Sequence, residues 1–199
     1  MIIVSFPRSG QHLFERICRH IFLYYGKNFS YCEFYECCRK IPCEKKSIFQ
    51  KNHDFNLRLN FETNDKFIVL YRKDKIKQLE SYYRFECEYK KDFYNSQIDY
   101  TNSKVFDNLI KFIKRKNKYY KSFVNKYISS NKYPNSLIIE YDEFVTNQYE
   151  QILRIINYFE IQYTNLEKDV ENIINSFEKI EYKNTISTDL YEKILANIN

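Results

Sequence analysis

The chain has 199 residues, 19% of them aromatic, with 20 Tyr, 17 Phe and no Trp, a content that supports a sizeable core and excludes a disordered chain. Charged residues make up 29% and leave a formal charge of +6, but bases are spread along the chain with acids among them, as in Glu86 to Asp92, so no nucleic-acid partner is expected. No apolar run reaches the roughly 20 residues needed to span a bilayer, no secretion signal is visible, and no Pro/Gly/Ser-rich stretch divides the chain. The expectation is one cytoplasmic domain over 1–199 with no transmembrane segment.

In chain order, residues 2–6 read as a buried strand, and residues 11–25 place Leu13, Phe14, Ile17, Ile21 and Phe22 at helical spacing. Between them stands Pro7-Arg8-Ser9-Gly10, which holds one of only two glycines in the chain. A strand that turns tightly into a helix aims backbone N–H groups and the helix N-terminus at one point, which suits a phosphate or sulfate. Four of the six cysteines follow within twelve residues, at Cys32, Cys37, Cys38 and Cys43. The paired C-x2-C spacing is missing and no histidine falls among them, so free thiols in a reducing compartment, and no metal, are expected.

Residues 47–49 carry a weak strand signal just before Lys51-Asn52-His53. The run Lys-Phe-Ile-Val-Leu-Tyr at 66–71 predicts a central parallel strand buried on both faces, with a helix after it to about Tyr89. A long amphipathic helix is predicted over 105–129 and a break at Pro134-Asn135. A strand over 136–141 and helices over 148–159 and 165–178 complete the pattern. Strands alternating with helices predict an α/β fold of three layers, with a mostly parallel central sheet flanked by helices.

The turn at 7–10 lacks the Gly-Lys pair of a nucleoside-triphosphate loop, which disfavours a kinase or GTPase. Pro7-Arg8-Ser9-Gly10-Gln11-His12-Leu13-Phe14 instead resembles the 5′-phosphosulfate loop of sulfotransferases that use 3′-phosphoadenosine 5′-phosphosulfate. Gln11 and His12 stand where that family usually has two hydroxyl residues. A phosphosulfate needs loop N–H donors, a hydroxyl such as Ser9 and a cation such as Arg8. Arg72, leaving the strand at 66–71, and Ser81, on the helix after it, are similar to the family's 3′-phosphate clamp, with Lys73 as the alternative to Arg72 because the Arg-to-Ser interval is nine positions where the family usually has eight. The segment Phe49 to Asp54 resembles the one that carries the family's histidine base, and an imidazole accepts a proton near neutral pH. Leu137 to Phe144 is similar to the strand and turn whose tyrosine contacts adenine, and Asn175 to Ile180 resembles the segment whose Phe stacks on it.

The resemblance implies a P-loop-like sulfotransferase fold that moves a sulfuryl group from 3′-phosphoadenosine 5′-phosphosulfate to a hydroxyl or amine, leaving adenosine 3′,5′-bisphosphate. The implied catalytic residues are His53, Arg8 and Lys51. The implied nucleotide site is Arg8, Ser9, Gly10, Gln11, His12, Leu13, Arg72, Ser81, Tyr141 and Phe177, with no metal. The acceptor would be a small molecule, a carbohydrate or a lipid, received by residues 28–47 and 84–104. A kinase with a degenerate phosphate loop, or a noncatalytic anion-binding protein on the same scaffold, remain the alternatives. The family's C-terminal R-K-G loop has no counterpart before Asn199.

Overall fold

A computed structural model of the chain describes residues 1–34, 37–89, 98–176 and 186–198. Five strands, β1 Ile2–Ser5, β2 Tyr31–Glu33, β3 Phe49–Asn52, β4 Phe67–Tyr71 and β5 Leu137–Glu140, form one sheet in the order β2-β3-β1-β4-β5. Every pairing is parallel. The described helices are α1 Gln11–Tyr24, α2 Lys75–Tyr89, α3 Ser103–Val124, α4 Tyr141–Thr146, α5 Gln148–Tyr158, α6 Leu166–Asn175 and α7 Thr188–Ile198. Among the described residues, no helix is long and apolar enough to cross a membrane.

The apolar runs of the central strands serve two cores at once. Side chains alternate across a strand, so Ile3, Ile68 and Leu70 enter a core closed by α1, α5 and α6, with Phe14, Ile17, Ile152 and Val170. Their neighbours Val4, Phe67 and Val69 enter a second core closed by α2, α3 and α7, with Leu79, Leu109, Phe123 and Ile194. The result is the expected α/β arrangement, a sheet with helices on both faces. Leaving β1, the chain travels through α1 toward β2, whereas leaving β4 it travels through α2 and α3 toward β5. The carboxyl ends of β1 and β4 therefore flank the point where the winding reverses, the place where open parallel sheets form a ligand crevice.

Three elements escape the sequence pattern. Strand β2 is three residues long, too short for a period. Helix α4 starts directly off β5, where the Glu140 carboxylate accepts from the Glu143 N–H and caps it. Helix α7 lies near the C-terminal end, beyond the last predicted helix. The predicted helix over 105–129 begins earlier, at Ser103, because Asn102 caps it by accepting from the N–H groups of Lys104 and Val105. It closes in a wider π-helical turn, Asn125–Ser129, which carries Lys126 and Tyr127 onto the loop after β3.

Candidate functional site

The turn after β1 is fixed from below. Phe6 N–H donates to Leu70 O at 3.0 Å, and the Ser9 N–H returns to Phe6 O at 3.2 Å. The Ser9 hydroxyl reaches Phe6 O at 2.6 Å and Leu70 O at 3.0 Å, and Gln78 of α2 donates its amide to Pro7 O. Ser9 is 3% exposed, so its hydroxyl ties the turn to the sheet and faces carbonyls. That differs from the anion contact its place in the motif implies. The serine carries the turn, and the turn carries the neighbouring groups.

Gly10 sits at the N-terminus of α1 with φ 79°, a left-handed conformation that side chains other than glycine's rarely adopt. A Cβ there would lie 2.3 Å from Cδ2 of Tyr141, so the absence of a side chain is also what admits the tyrosine ring. Helix α1 has no side-chain cap, and its first N–H groups lack an intrahelical partner, as at every helix start. They face the same space as Tyr141. A cavity of about 210 Å³ opens here, lined by Arg8, Gly10, Gln11, His12, Leu13, Arg72, Ser81 and Tyr141. Three strand ends supply these residues, those of β1, β4 and β5.

Arg72 leaves β4 almost fully buried, at 4% exposure. Its guanidinium meets the Asp142 carboxylate twice, at 3.2 Å from Nε and 2.9 Å from Nη2, and lies 5.2 Å from the centre of the Tyr141 ring. The Lys73 N–H donates to Glu140 at 2.8 Å, and the Tyr120 hydroxyl donates to Arg72 O at 2.7 Å. The turn after β4 is thus locked to the start of α4. Ser81, in the second turn of α2, reaches the same cavity. Lys73 lines a separate groove with Asp74 and Glu143, so Arg72 and not Lys73 accompanies Ser81. Arg8 is exposed, has φ 66°, and extends toward Phe85 of α2, 5.3 Å from the ring centre.

His53 follows β3. Its Nδ1 stands 2.8 Å from Ser5 O and 3.1 Å from the Ser5 hydroxyl. A carbonyl can only accept, so Nδ1 carries the hydrogen and the Nε2 lone pair is the basic site. Burial, then the Lys51 ammonium, and finally His12 push its pKa from 6.5 down to about 3 against the opposing Ser5 carbonyl. The imidazole is neutral at pH 7. Neither His53 nor Lys51 belongs to the cavity wall, although His12, which does, lies close enough to act on His53. Lys51 is 4% exposed and pairs with Glu33 at 2.5 Å, its direct neighbour in the β2–β3 register. That ion pair joins β2 to β3 and engages the cation that the resemblance implies as a second catalytic one.

Eight of the ten expected nucleotide residues therefore line one cavity, Ser9 lies beneath it, and Phe177 falls outside the described residues. Sequence reasoning missed Asp142, whose signal was its place next to Tyr141 in the turn after β5. It also missed Asp54. That carboxylate accepts from the N–H groups of Arg58 and Leu59 at 2.8 and 3.0 Å, from Lys126 at 2.9 Å and from the Tyr127 hydroxyl. Away from the cavity, the Sγ atoms of Cys32, Cys37, Cys38 and Cys43 all lie within 4.8 Å of one another. The C-x4-C-C-x4-C spacing invites a zinc reading but does not by itself fix that convergence. A scan of the chain against protein-family models finds no match, and a search of characterised proteins finds none either.

Proposed function

We propose that this protein is a sulfotransferase on a P-loop-like α/β scaffold, moving a sulfuryl group from 3′-phosphoadenosine 5′-phosphosulfate to a hydroxyl or amine acceptor. The observation that carries the reading is the meeting of the Gly10 turn, Arg72 with Ser81, and Tyr141 in one cavity at the crevice between β1 and β4. The donor set fits an anionic nucleotide. Two guanidinium groups and an uncapped helix start bind anions, Gly10 leaves its Cα bare, and Tyr141 offers an aromatic face. The Gln11 side-chain oxygen is buried without a hydrogen-bond partner, ready to accept from a ribose hydroxyl or, with the amide turned over, to present its NH2 to an oxyanion.

Bound there, the nucleotide would supply an activated sulfuryl group whose S–O bond to phosphate breaks as the acceptor attacks sulfur. The N–H groups of Gln11 to Leu13 and the Arg8 guanidinium take up the negative charge that collects on the departing phosphate oxygen. The Nε2 of His53 takes the acceptor's proton, its tautomer set by Ser5 O. Arg72 and Ser81 hold the 3′-phosphate. Arg72 shares its guanidinium with Asp142, so the carboxylate opposes an incoming phosphate.

Calorimetry with adenosine 3′,5′-bisphosphate tests this assignment. Wild-type protein binds, Arg72→Ala and Arg8→Ala each lose at least about tenfold in affinity, as for a charge-assisted hydrogen bond, and Asp142→Asn binds more tightly. No heat of binding in the wild type removes the proposal. A second reading, a noncatalytic binder of the same ligand, is favoured by the pairing of Lys51 with Glu33 and by the position of His53 outside the cavity wall. Bisphosphate binding without sulfuryl transfer to a broad panel of phenols, sugars and amines would select it.

A further inference from the structure

The four clustered thiols lie on the crossover from β2 to β3. Cys32 is in β2, and Cys37, Cys38 and Cys43 are in the connection that follows. Tetrahedral coordination by four thiolates, with Zn–S near 2.3 Å, places the sulfurs about 3.8 Å apart. Here all four Sγ atoms fall within 4.8 Å of one another, and those of Cys38 and Cys43 are 3.7 Å apart. One bridge needs only two sulfurs to converge; four sulfurs converging on one point describe the corners of a coordination site. Cys32 and Cys43 are buried, at 2% and 5% exposure. Cys37 and Cys38 are half-buried, which leaves a path for an ion.

The surroundings suit the charge such a site would carry. A divalent ion with four thiolates has a net charge of −2, and residues 39–46 hold Arg39, Lys40, Lys45 and Lys46 against the single carboxylate of Glu44. The backbone N–H groups of Lys45 and Ser47 and the Ser47 hydroxyl reach the Cys43 sulfur. Hydrogen bonds of this kind orient and tune a ligating thiolate. Elsewhere the connection is held by backbone turns, Arg39 N–H to Phe34 O and Lys46 N–H to Cys43 O, and by the Gln50 amide on Lys40 O. Ile41 is 41% exposed, the Lys40–Glu44 ion pair stands in solvent, and Cys18 and Cys87 lie elsewhere.

We infer that Cys32, Cys37, Cys38 and Cys43 form a structural tetrathiolate site for Zn²⁺ that staples the β2–β3 crossover to the sheet edge. Binding converts four thiols to thiolates and releases four protons to solvent, with no change in oxidation state. The site holds β2 beside β3, where Glu33 pairs with Lys51. It supplies structure and leaves no open coordination position for chemistry. The assignment is independent of the sulfotransferase reading.

The test uses the full chain purified under a thiol-free reductant. Metal analysis and native mass should give one zinc per chain. Replacement by Co²⁺ should produce the intense visible bands of tetrahedral cobalt together with sulfur-to-cobalt charge transfer. Cys37→Ser and Cys38→Ser, at half-buried positions where folding survives by circular dichroism, should each weaken metal affinity by more than roughly tenfold, while Cys87→Ser retains it. Three results overturn the inference: reduced protein that takes up neither Zn²⁺ nor Co²⁺, uptake unchanged in both serine variants, or iron in place of zinc as isolated.

Discussion

Between β2 and β3 the chain crosses through residues 34–48, and between β3 and β4 through residues 53–66, in both cases without a helix among the described residues. Parallel strands are ordinarily joined through a helix that packs on the sheet and holds the connection in place. The second crossover replaces it with a carboxylate. Asp54 gathers four donors, Lys126 extends the network by donating to Leu57 O and Leu59 O, and Phe61 stacks on Phe67 with ring centres 3.9 Å apart. Among the described residues the first crossover has no such carboxylate hub; beside backbone turns and the Gln50 amide on Lys40 O, four sulfurs face one another. Thiols are weak hydrogen-bond partners, so the same structural problem is solved by oxygen acceptors in one place and left to soft metal ligands in the other.

The largest expected effect comes from removing the oxygen hub. Asp54→Ala leaves the Tyr127 hydroxyl without its acceptor and the Lys126 ammonium, though still on Leu57 O and Leu59 O, without its counter-charge in a largely buried site, which should cost about 3–5 kcal/mol of unfolding free energy. Urea denaturation at pH 7 measures it. A loss below about 1 kcal/mol would mean that aromatic packing, and not the carboxylate, holds residues 53–66.

His53 begins this crossover and gives the next effect. Its folded pKa, about 3, lies below the unfolded value near 6.5, so the unfolded chain takes up a proton first as pH falls. Stability from this group is present above pH 6.5 and is lost on acidification toward pH 3. Between pH 7 and pH 5 the loss is about 2 kcal/mol. In His53→Asn, which keeps a donor toward Ser5 O, that part of the pH dependence should vanish. Equal slopes in the two proteins would show that other groups carry the acid sensitivity.

Much of the fold was legible because β1 and β4 are continuous apolar runs and α1, α3 and α5 repeat at helical spacing. The Gly10 turn was legible because a rare glycine stands where a strand becomes a helix. What stayed hidden depends on distant partners. That Ser9 faces Leu70 O, that Lys51 answers Glu33 and that Arg72 answers Asp142 are consequences of strand order and register, which local pattern does not encode. The four cysteines were visible as a spacing, but their convergence depends on how the connection folds over β3, where Gln50 donates its amide to Lys40 O. Strand β2 was missed because three residues cannot display a period of two.

The smallest effect sharpens the contrast between the two crossovers. The Lys40–Glu44 pair spans 2.5 Å, but its side chains are 67% and 57% exposed, so water and salt screen it. Lys40→Ala should therefore change unfolding free energy by less than about 1 kcal/mol, in contrast to Asp54→Ala, where the lost partner is buried. Cleavage by the endoprotease Glu-C after Glu44, a bond that Lys40→Ala does not alter, should stay slow in the metal-loaded variant and accelerate only when a chelator is added. Rapid cleavage of the loaded variant would mean that surface charge holds residues 34–48, and the likeness between this crossover and the Asp54 crossover would then rest on ion pairs rather than on metal against oxygen.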